Sequence, residues 1–385
     1  MIEVRAQRML HADGSLAPGW VRVEGERVVE VCRTAPDAST PDAVPVLSPG
    51  FVDIHGHGGG GHSYDDPDPD HVLAALTAHR RHGTTTAVAS LVTRSPEALH
   101  TQVGGLAELV RARELAGVHL EGPCLSQEFA GAHAGRWLTA PVDTDLVALA
   151  ESGVVRMVTL APELPGALDT IGRLTALGVV AAIGHTAADA ATTRRAIDAG
   201  ARVVTHLFNA MPPMHHRSPG PVAIALTDPR VVVELVADGH HVAREVLLLA
   251  HLSAGGRVAL VTDAMAAAGA ADAMAAAGAA DGDYPLGELT ATVRDGVARI
   301  GTDGPLAGST LTMDRAVRTM VRAGCDLAGT LRSATVVPAR ALGLLSVGVL
   351  EPGALADLVV LDDDLSVVRV MRRGRWLPDD VHEGG

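Results

Sequence analysis

The sequence contains no lysine, so all of its 31 basic residues are arginines. Two kinds of enzyme site therefore cannot be built from this chain: a lysine Schiff base and a carboxylated lysine that bridges two metal ions. Cysteine is scarce too. Cys32, Cys124 and Cys325 are far apart and form no Cys-x-x-Cys pair, which argues against a zinc site with cysteine ligands. So few cysteines are typical of a reduced, cytoplasmic protein.

Long apolar runs and an excess of basic charge are also missing. The first residues, MIEVRAQRML, contain no apolar core of a secretory signal, and the longest apolar runs are strand-sized, so we expect no membrane span. A formal net charge of −14 argues against nucleic acid or an anionic membrane as the main partner. It remains compatible with a small anionic substrate in a locally basic pocket.

The two ends of the chain differ from its middle. Residues 1–48 and 349–385 carry short β-rich runs separated by turns, which predicts one small β-sandwich domain built from both termini. Residues 49–348 alternate β-rich segments with helical stretches that often end in glycine. The β-rich segments of this middle part are 49–55, 84–91, 117–122, 154–162, 179–185, 202–209, 231–239 and 257–263.

Eight such units predict an α/β fold of the (β/α)8 TIM-barrel type for the middle part. A doubly wound parallel sheet is the structural alternative. That fold usually has a glycine-rich dinucleotide loop after its first strand, and GHGGGGH (residues 56–62) does not match that pattern.

Polar residues stand at the ends of most of the predicted barrel strands. Functional side chains of such barrels project from the C-terminal strand ends, so these residues are expected to converge. His55 and His57 are two positions apart and would face one side of an extended strand. Imidazole and carboxylate donors without cysteine suit Zn²⁺ or another divalent first-row ion. The strand-end residues are His55, His57, His119, Glu121, His185, His206, Asp238, His240, His241 and Asp263.

A resemblance to a known family rests on these motifs and covers nearly the whole chain. The segments HGH, HLEGP, GHT, THLFNAMPP, DGHH, VTDAM and LAGSTLTMD together resemble the amidohydrolase superfamily and, within it, the N-acetylglucosamine-6-phosphate deacetylases. The resemblance implies a metal-dependent hydrolysis of the acetamide of N-acetyl-D-glucosamine 6-phosphate in amino-sugar catabolism. The expected products are D-glucosamine 6-phosphate and acetate.

The resemblance also implies the metal ligands. Glu121, His185 and His206 match the principal ligands of the family, whereas His55 and His57 match a histidine pair that varies among its members. Because this chain keeps the pair, one or two divalent ions, zinc by expectation, are implied for each subunit. Glu121 would bridge two ions.

Asp263 matches the catalytic acid and base of the family. A metal-activated water is the implied nucleophile. Asp263 would first take the proton of this water as general base and then return it to the departing amine as general acid.

The resemblance further implies a set of substrate contacts and a homodimer. Arg217 would reach the phosphate in the neighbouring subunit's site, and guanidinium groups suit phosphate. No role is implied for His62, His215 or His216, and the run Asp65–Asp70 predicts a turn and a helix cap. The residues implied to contact the substrate are Ala132, His133, Asn209, Ala210, Arg217, His241, Leu306, Ala307 and Gly308.

A nine-residue duplication leaves two candidates for the catalytic aspartate. The sequence AMAAAGAAD occurs at Ala264–Asp272 and again at Ala273–Asp281, so Asp-Ala-Met stands both at Asp263 and at Asp272. Asp263 directly follows a predicted strand, whereas Asp272 follows a glycine- and alanine-rich stretch. Because a catalytic carboxylate needs rigid support, we predict that Asp263 is the catalyst and that the added residues lengthen a loop.

Two other functions stay open at this point. The chain could be another amidohydrolase, such as an adenosine-type deaminase or a cyclic-amide hydrolase, although the phosphosugar motifs favour the deacetylase. Alternatively, it could be a metal-binding or structural protein that has lost catalysis. The duplication beside the predicted catalytic strand is the one feature that supports this last hypothesis.

Overall fold

The computed structural model describes residues 1–34, 43–144, 146–270, 281–301 and 303–378. The strands are β1 (Ile2–Leu10), β2 (Leu16–Glu24), β3 (Arg27–Cys32), β4 (Val44–Pro49), β5 (Phe51–Asp53), β6 (Gly58–Gly59), β7 (His62–Ser63), β8 (Thr84–Val92), β9 (Gly117–Glu121), β10 (Val155–Leu160), β11 (Val180–Ile183), β12 (Val203–Val204), β13 (Val232–Val236), β14 (Val258–Val261), β15 (Gly282–Leu286), β16 (Leu289–Arg294), β17 (Val297–Ile300), β18 (Leu358–Leu361), β19 (Val367–Arg372) and β20 (Arg375–Trp376). The α-helices are α1 (Pro69–Arg81), α2 (Pro96–Arg111), α3 (Leu146–Ala150), α4 (Ala167–Ala176), α5 (Ala190–Ala199), α6 (Gly220–Thr227), α7 (Arg244–Ala254), α8 (Met313–Arg322), α9 (Leu327–Ser333) and α10 (Val336–Ala341).

Eight parallel strands form the central sheet in the order β5, β8, β9, β10, β11, β12, β13, β14. Neighbours in the sheet are neighbours in the sequence, as in a barrel and unlike a doubly wound sheet. The first and last strands are joined just beyond their ends, where the Asp263 amide donates to the His55 carbonyl at 2.8 Å. Below this bond, the Thr262 hydroxyl donates to buried Asp53 at 2.5 Å. The predicted (β/α)8 fold is therefore confirmed, and all eight predicted strands exist.

Polar side chains start several of the outer helices. The Asp68 carboxylate accepts the Asp70 amide at the N-cap of α1, which confirms the turn and cap predicted for Asp65–Asp70. Ser95 and Asp189 cap α2 and α5 in the same way. Within the described ranges, no helix has the length and apolar character needed to cross a membrane.

Both ends of the chain contribute to one seven-stranded sheet, in the order β20, β19, β18, β4, β1, β2, β3. Strand β4 lies at its centre because it pairs in parallel with β1 and antiparallel with β18. Its core is a cluster of buried apolar residues that includes Val21, Leu47 and Leu358. The division of the chain into domains at residues 48 and 349 stays a prediction.

A small antiparallel sheet, β15–β16–β17, follows the last barrel strand. The sequence analysis assigned no structure there. The first copy of the duplicated segment packs against this sheet, since Met265 and Ala267 share a buried cluster with Leu286 and Val293. Residues 264–270 also accept hydrogen bonds from the glycine-rich hairpin β6–β7, with Gly60 donating to the Ala268 carbonyl at 2.7 Å. Residues 264–270 of the first copy are thus part of the folded interior.

This packing makes a prediction about stability. Ala267 is 1% exposed, so Ala267→Leu inserts methylene groups into a filled site and should destabilise the protein by about 1–3 kcal/mol. The midpoint of urea unfolding measures the effect. Ala276 occupies the same position in the second copy and lies outside the described residues. Because the sequence predicts a loop there, Ala276→Leu is the matched control and should leave the midpoint unchanged. Equal losses in both variants would contradict the loop prediction.

Candidate metal centre and active-site cavity

A cavity of about 310 Å³ lies at the C-terminal ends of the barrel strands. It is lined by side chains that directly follow several of these strands, as the barrel fold requires. Glu121 is the last residue of β9, and Asp263 stands two positions after β14. The His55–His57 pair follows β5, which ends at Asp53, so both histidines lie beyond the strand and not within it.

Three of the histidines are each held by a hydrogen bond from Nδ1 to an oxygen atom. His57 Nδ1 lies 3.1 Å from the Ser90 carbonyl, His185 Nδ1 lies 2.8 Å from the Phe129 carbonyl, and His55 Nδ1 lies 3.0 Å from Glu234 Oε2. Each Nδ1 must donate to its oxygen, so the neutral ring presents the Nε2 lone pair.

The three Nε2 atoms and that of His206 surround one carboxylate. Glu121 Oε1 lies 3.2 Å from His185 Nε2, 3.2 Å from His206 Nε2 and 3.4 Å from His55 Nε2. Glu121 Oε2 lies 3.2 Å from His57 Nε2. The Nε2 atoms of His185 and His206 are only 3.0 Å apart, and His55 Nε2 has no hydrogen-bond partner among the described residues. Facing lone pairs and an unsatisfied buried nitrogen fit a cation between them.

The charges of this cluster affect each other strongly in the cation-free chain. Burial opposes protonation of His57, but Asp263 and Glu121 raise its pKa to about 9. Burial also works against ionisation of Asp263, yet His55 and His57 lower its pKa below the ordinary range. Asp263 is therefore a carboxylate at neutral pH. A cation would replace the protons of the imidazoles as the partner of both carboxylates.

Three further side chains present polar atoms to the cavity. The Thr93 amide donates to His133 Nδ1 at 3.2 Å, and burial lowers the His133 pKa to about 4, so neutral His133 carries its proton on Nε2. Asp238 holds His241 Nδ1 at 2.7 Å, which directs His241 Nε2 towards Asp263 at 3.9 Å. The Asn209 amide nitrogen donates to two backbone carbonyls.

The backbone at the site adopts conformations that side chains rarely allow. His185, His206 and Asp263 have φ angles of 47°, 28° and 48°, and Ala210 has 50°. Non-glycine residues in this left-handed region are strained and cluster at functional sites. Hydrogen bonds hold Asp263 on both sides, since its amide donates to His55 and its carbonyl accepts from Ser309 at 2.7 Å.

Most of the predicted site residues meet in this cavity. Ala307 packs into the apolar cluster under the three-stranded sheet, and His55 lies fully buried beneath the cavity against Glu121. Arg217 is exposed and contacts His216, outside the cavity of this single chain. The predicted residues that line the cavity are His57, Glu121, Ala132, His133, His185, His206, Asn209, Ala210, His241, Asp263, Leu306 and Gly308.

Several histidines of the sequence lie elsewhere. His62 stacks on His71 at 4.4 Å, and the rings of His215 and His216 lie 4.2 Å apart in a tilted arrangement. His119 is buried between the hydroxyls of Ser90 and Thr159, so both of its ring nitrogens are already occupied. Asp272, the second candidate for the catalyst, lies outside the described residues.

Sequence analysis missed some residues that shape the site. Glu234 is the most informative, because it is fully buried and contacts His55. A lone glutamate in the apolar run VVVELVADG was a signal for it, since a buried charge needs a compensating partner. Glu128, Phe129 and Leu286 also line the cavity from loops and from β15, where no sequence pattern pointed to the site.

The comparison with protein families shows the class of protein. The profile described as the amidohydrolase family matches residues 46–377. The chain belongs to the amidohydrolase family. Amidohydrolases depend on divalent metal ions, and this amidohydrolase provides two donor groups around the shared carboxylate: His55, His57 and Glu121, and Glu121, His185 and His206.

Individual relatives of this amidohydrolase are named as deacetylases of N-acetyl amino-sugar 6-phosphates. N-acetylglucosamine-6-phosphate deacetylase of Vibrio furnissii is 33% identical over 388 residues, which cover 97% of this chain and 94% of that relative. N-acetylgalactosamine-6-phosphate deacetylase of Escherichia coli O157:H7 is 36% identical over 382 residues, with 97% and 98% covered. A solved mutant of the Mycobacterium smegmatis N-acetyl-D-glucosamine-6-phosphate deacetylase, in complex with N-acetyl-D-glucosamine-6-phosphate, is 46% identical with a TM-score of 0.90, and 97% and 98% are covered. The resemblance seen in the sequence motifs is confirmed.

Proposed function

We propose that this amidohydrolase removes the acetyl group of N-acetyl-D-glucosamine 6-phosphate in amino-sugar catabolism. One observation carries the proposal. A single carboxylate, Glu121, lies between four imidazole nitrogens, and the Asp263 carboxylate stands 3.3 Å from one of them, His57, on the wall of the same cavity. Metal-assisted hydrolysis of an amide requires ligand atoms that hold a cation and, in the same cavity, an acid–base group that can accept a proton. The names of the relatives supply the substrate.

A bound cation and the side chains of the protein would carry out different parts of the hydrolysis. One or two divalent ions, zinc by our proposal, would be held by His55, His57, Glu121, His185 and His206 and would polarise the acetamide carbonyl and acidify a water molecule. Asp263 takes the proton of the attacking water, because its carboxylate faces the cavity beside the proposed metal ligands. The protonated Asp263 then delivers this proton to the amine, which would otherwise leave poorly.

Histidine and amide side chains orient the substrate. His133 presents an Nε2–H donor that suits the carbonyl oxygen of an acetamide. The side-chain oxygen of Asn209 is available to accept a hydrogen bond from a sugar hydroxyl, and His241 Nε2 also faces the substrate, because their other polar atoms are already bonded inside the protein. Ala210, Leu306 and Gly308 complete the walls. The contact proposed for Ala132 is on the same loop as His133.

We further propose a homodimer in which Arg217 enters the neighbouring subunit's site and binds the phosphate. The exposed position of Arg217 beside half-exposed Met214 supports an interface at this loop. Arg217→Ala should raise KM for the phosphosugar by about 10- to 100-fold, since a hydrogen bond to a charged group contributes about 1.5–3 kcal/mol. The kcat should change little.

Mixed dimers test whether Arg217 acts across the interface. A chain with Arg217→Ala paired with a chain carrying Asp263→Asn forms one intact site per mixed dimer if the arginine is shared. Activity at low substrate should then exceed that of either variant alone. No gain on mixing would contradict the shared site.

A panel of substrates tests the proposed function itself. Purified protein loaded with zinc is incubated with N-acetylglucosamine 6-phosphate or with unphosphorylated N-acetylglucosamine, and acetate and free amine are measured with and without a chelator. We expect turnover of the phosphorylated sugar only, and its loss with the chelator. Absence of turnover by fully loaded protein would overturn the proposal and favour a chain that has lost catalysis.

A second candidate substrate is N-acetylgalactosamine 6-phosphate, because the relative named for it is 36% identical over 97% of this chain. The two sugars differ only at carbon 4. Competition between them at equal concentration measures the ratio of their kcat/KM values, and the larger value identifies the preferred sugar.

A further inference from the structure

A single acidic residue lies inside barrel strand β13. Its sequence is Val-Val-Glu-Leu-Val, and Glu234 is fully buried. Burying a carboxylate among apolar side chains is unfavourable unless hydrogen bonds or charges compensate it. The partners of Glu234 therefore indicate why it is there.

Glu234 contacts both donor groups of the metal centre with one oxygen. Its Oε2 lies 3.0 Å from His55 Nδ1 and accepts the backbone amide of His206 at 3.2 Å. The other oxygen, Oε1, has no hydrogen-bond partner among the described residues. His57 and His185 are held by backbone carbonyls, so among the three rings fixed through Nδ1 only His55 is fixed by a side chain.

The contact with His55 determines where its second nitrogen points. Because Nδ1 donates to Glu234, Nε2 is the nitrogen that faces Glu121 Oε1, at 3.4 Å, and that would bind a cation. His119 packs edge-on against the His55 ring at 4.7 Å and limits its rotation. The contact with His206 acts on the backbone, since this amide belongs to a residue with a φ of 28°.

We propose that Glu234 is a positioning residue that orients His55 and thereby gives the donor group His55, His57 and Glu121 its affinity for a cation. A negative charge behind an imidazole ligand also makes that ligand a better donor. The effect on the other donor group, which Glu234 reaches only through the His206 backbone, is smaller. The inference rests on the proposed function only in that both place a cation at this site.

The test is a titration of metal-free protein with Zn²⁺ against a chromophoric chelator, repeated with Co²⁺. Wild type should bind two ions per chain. Glu234→Gln keeps the size of the side chain and removes its charge. It should bind the first ion like wild type and the second about 10- to 100-fold more weakly. Glu234→Leu, which also removes the acceptor, should show a larger loss at the second ion.

Two measurements separate positioning from general support of the fold. Asp357→Asn is the matched control, because Asp357 is also a buried carboxylate, accepts the Arg373 amide at 2.7 Å and contacts no proposed ligand. It should keep both ions. The rise in thermal midpoint on adding Zn²⁺ should shrink for Glu234→Gln but not for Asp357→Asn. A purely structural role would instead lower the midpoints with and without Zn²⁺ equally, and that result overturns the inference.

Wild type that binds one ion only, or Glu234→Gln that binds both ions as tightly as wild type, also overturns it. The titration contains no substrate, so it stands apart from the deacetylase assay. Loss of the second ion in Glu234→Gln supports the inference even if wild type turns over no phosphosugar, and wild-type turnover with unchanged binding in the variant leaves the proposed function intact.

Discussion

Asp263→Asn should lower kcat by about 100- to 10,000-fold, the range expected when a general acid–base group is removed. Asparagine keeps the size of the side chain and the backbone bonds to His55 and Ser309, so the cavity should keep its shape. It cannot accept the proton of the attacking water or return one to the amine. Steady-state kinetics of zinc-loaded protein on N-acetylglucosamine 6-phosphate measure the loss, which should appear in kcat with little change in KM.

The duplication provides the control for this experiment. Asp272→Asn removes the aspartate of the second Asp-Ala-Met and should leave most of the turnover. Residues 264–270 support this expectation, because they pack from the site into the interior directly after Asp263. The opposite pattern, with Asp272→Asn inactive and Asp263→Asn active, would show that the catalyst had been assigned to the wrong copy.

The barrel could be predicted from the sequence because its strands and helices alternate with a clear period. Segments such as RVALVTD and VVVELVADG carry β-branched residues and end in polar ones, and the structure places strands at Val258–Val261 and Val232–Val236. The predicted lengths of the strands were less accurate. Residues 202–209 form only a two-residue strand, since the chain turns sharply at His206 to direct its ring inward.

The site was predictable only in part, for a physical reason. Strand ends of a barrel converge whatever the side chains are, so Glu121, His185 and Asp263 could be placed at one mouth from their positions alone. Hydrogen bonds between segments that are distant in the sequence could not be predicted in this way. The bond from His55 to Glu234 joins residues 179 positions apart, and the sheet β15–β17 covers the cavity with Leu286 although it belongs to no barrel unit.

Glu121→Gln should abolish tight cation binding and lower turnover at least as much as Asp263→Asn. The Glu121 carboxylate lies within 3.5 Å of five imidazoles, those of His55, His57, His133, His185 and His206. An amide in its place carries no charge to balance a cation. It also replaces one of the two oxygens with an N–H group that faces imidazole nitrogens, so the two donor groups can no longer both be served by a carboxylate.

Metal analysis after gel filtration, together with turnover, measures the result of Glu121→Gln. Wild type stripped by a chelator should recover activity when Zn²⁺ is added, whereas Glu121→Gln should not recover even in excess Zn²⁺. Glu163→Gln is the matched control, because Glu163 bonds Thr186 and the Ala187 amide but no proposed ligand side chain, and it should keep the ion. A Glu121→Gln protein that retains zinc as tightly as wild type would mean that the histidines alone hold the cation, and Glu121 would then lose its proposed place between the two donor groups.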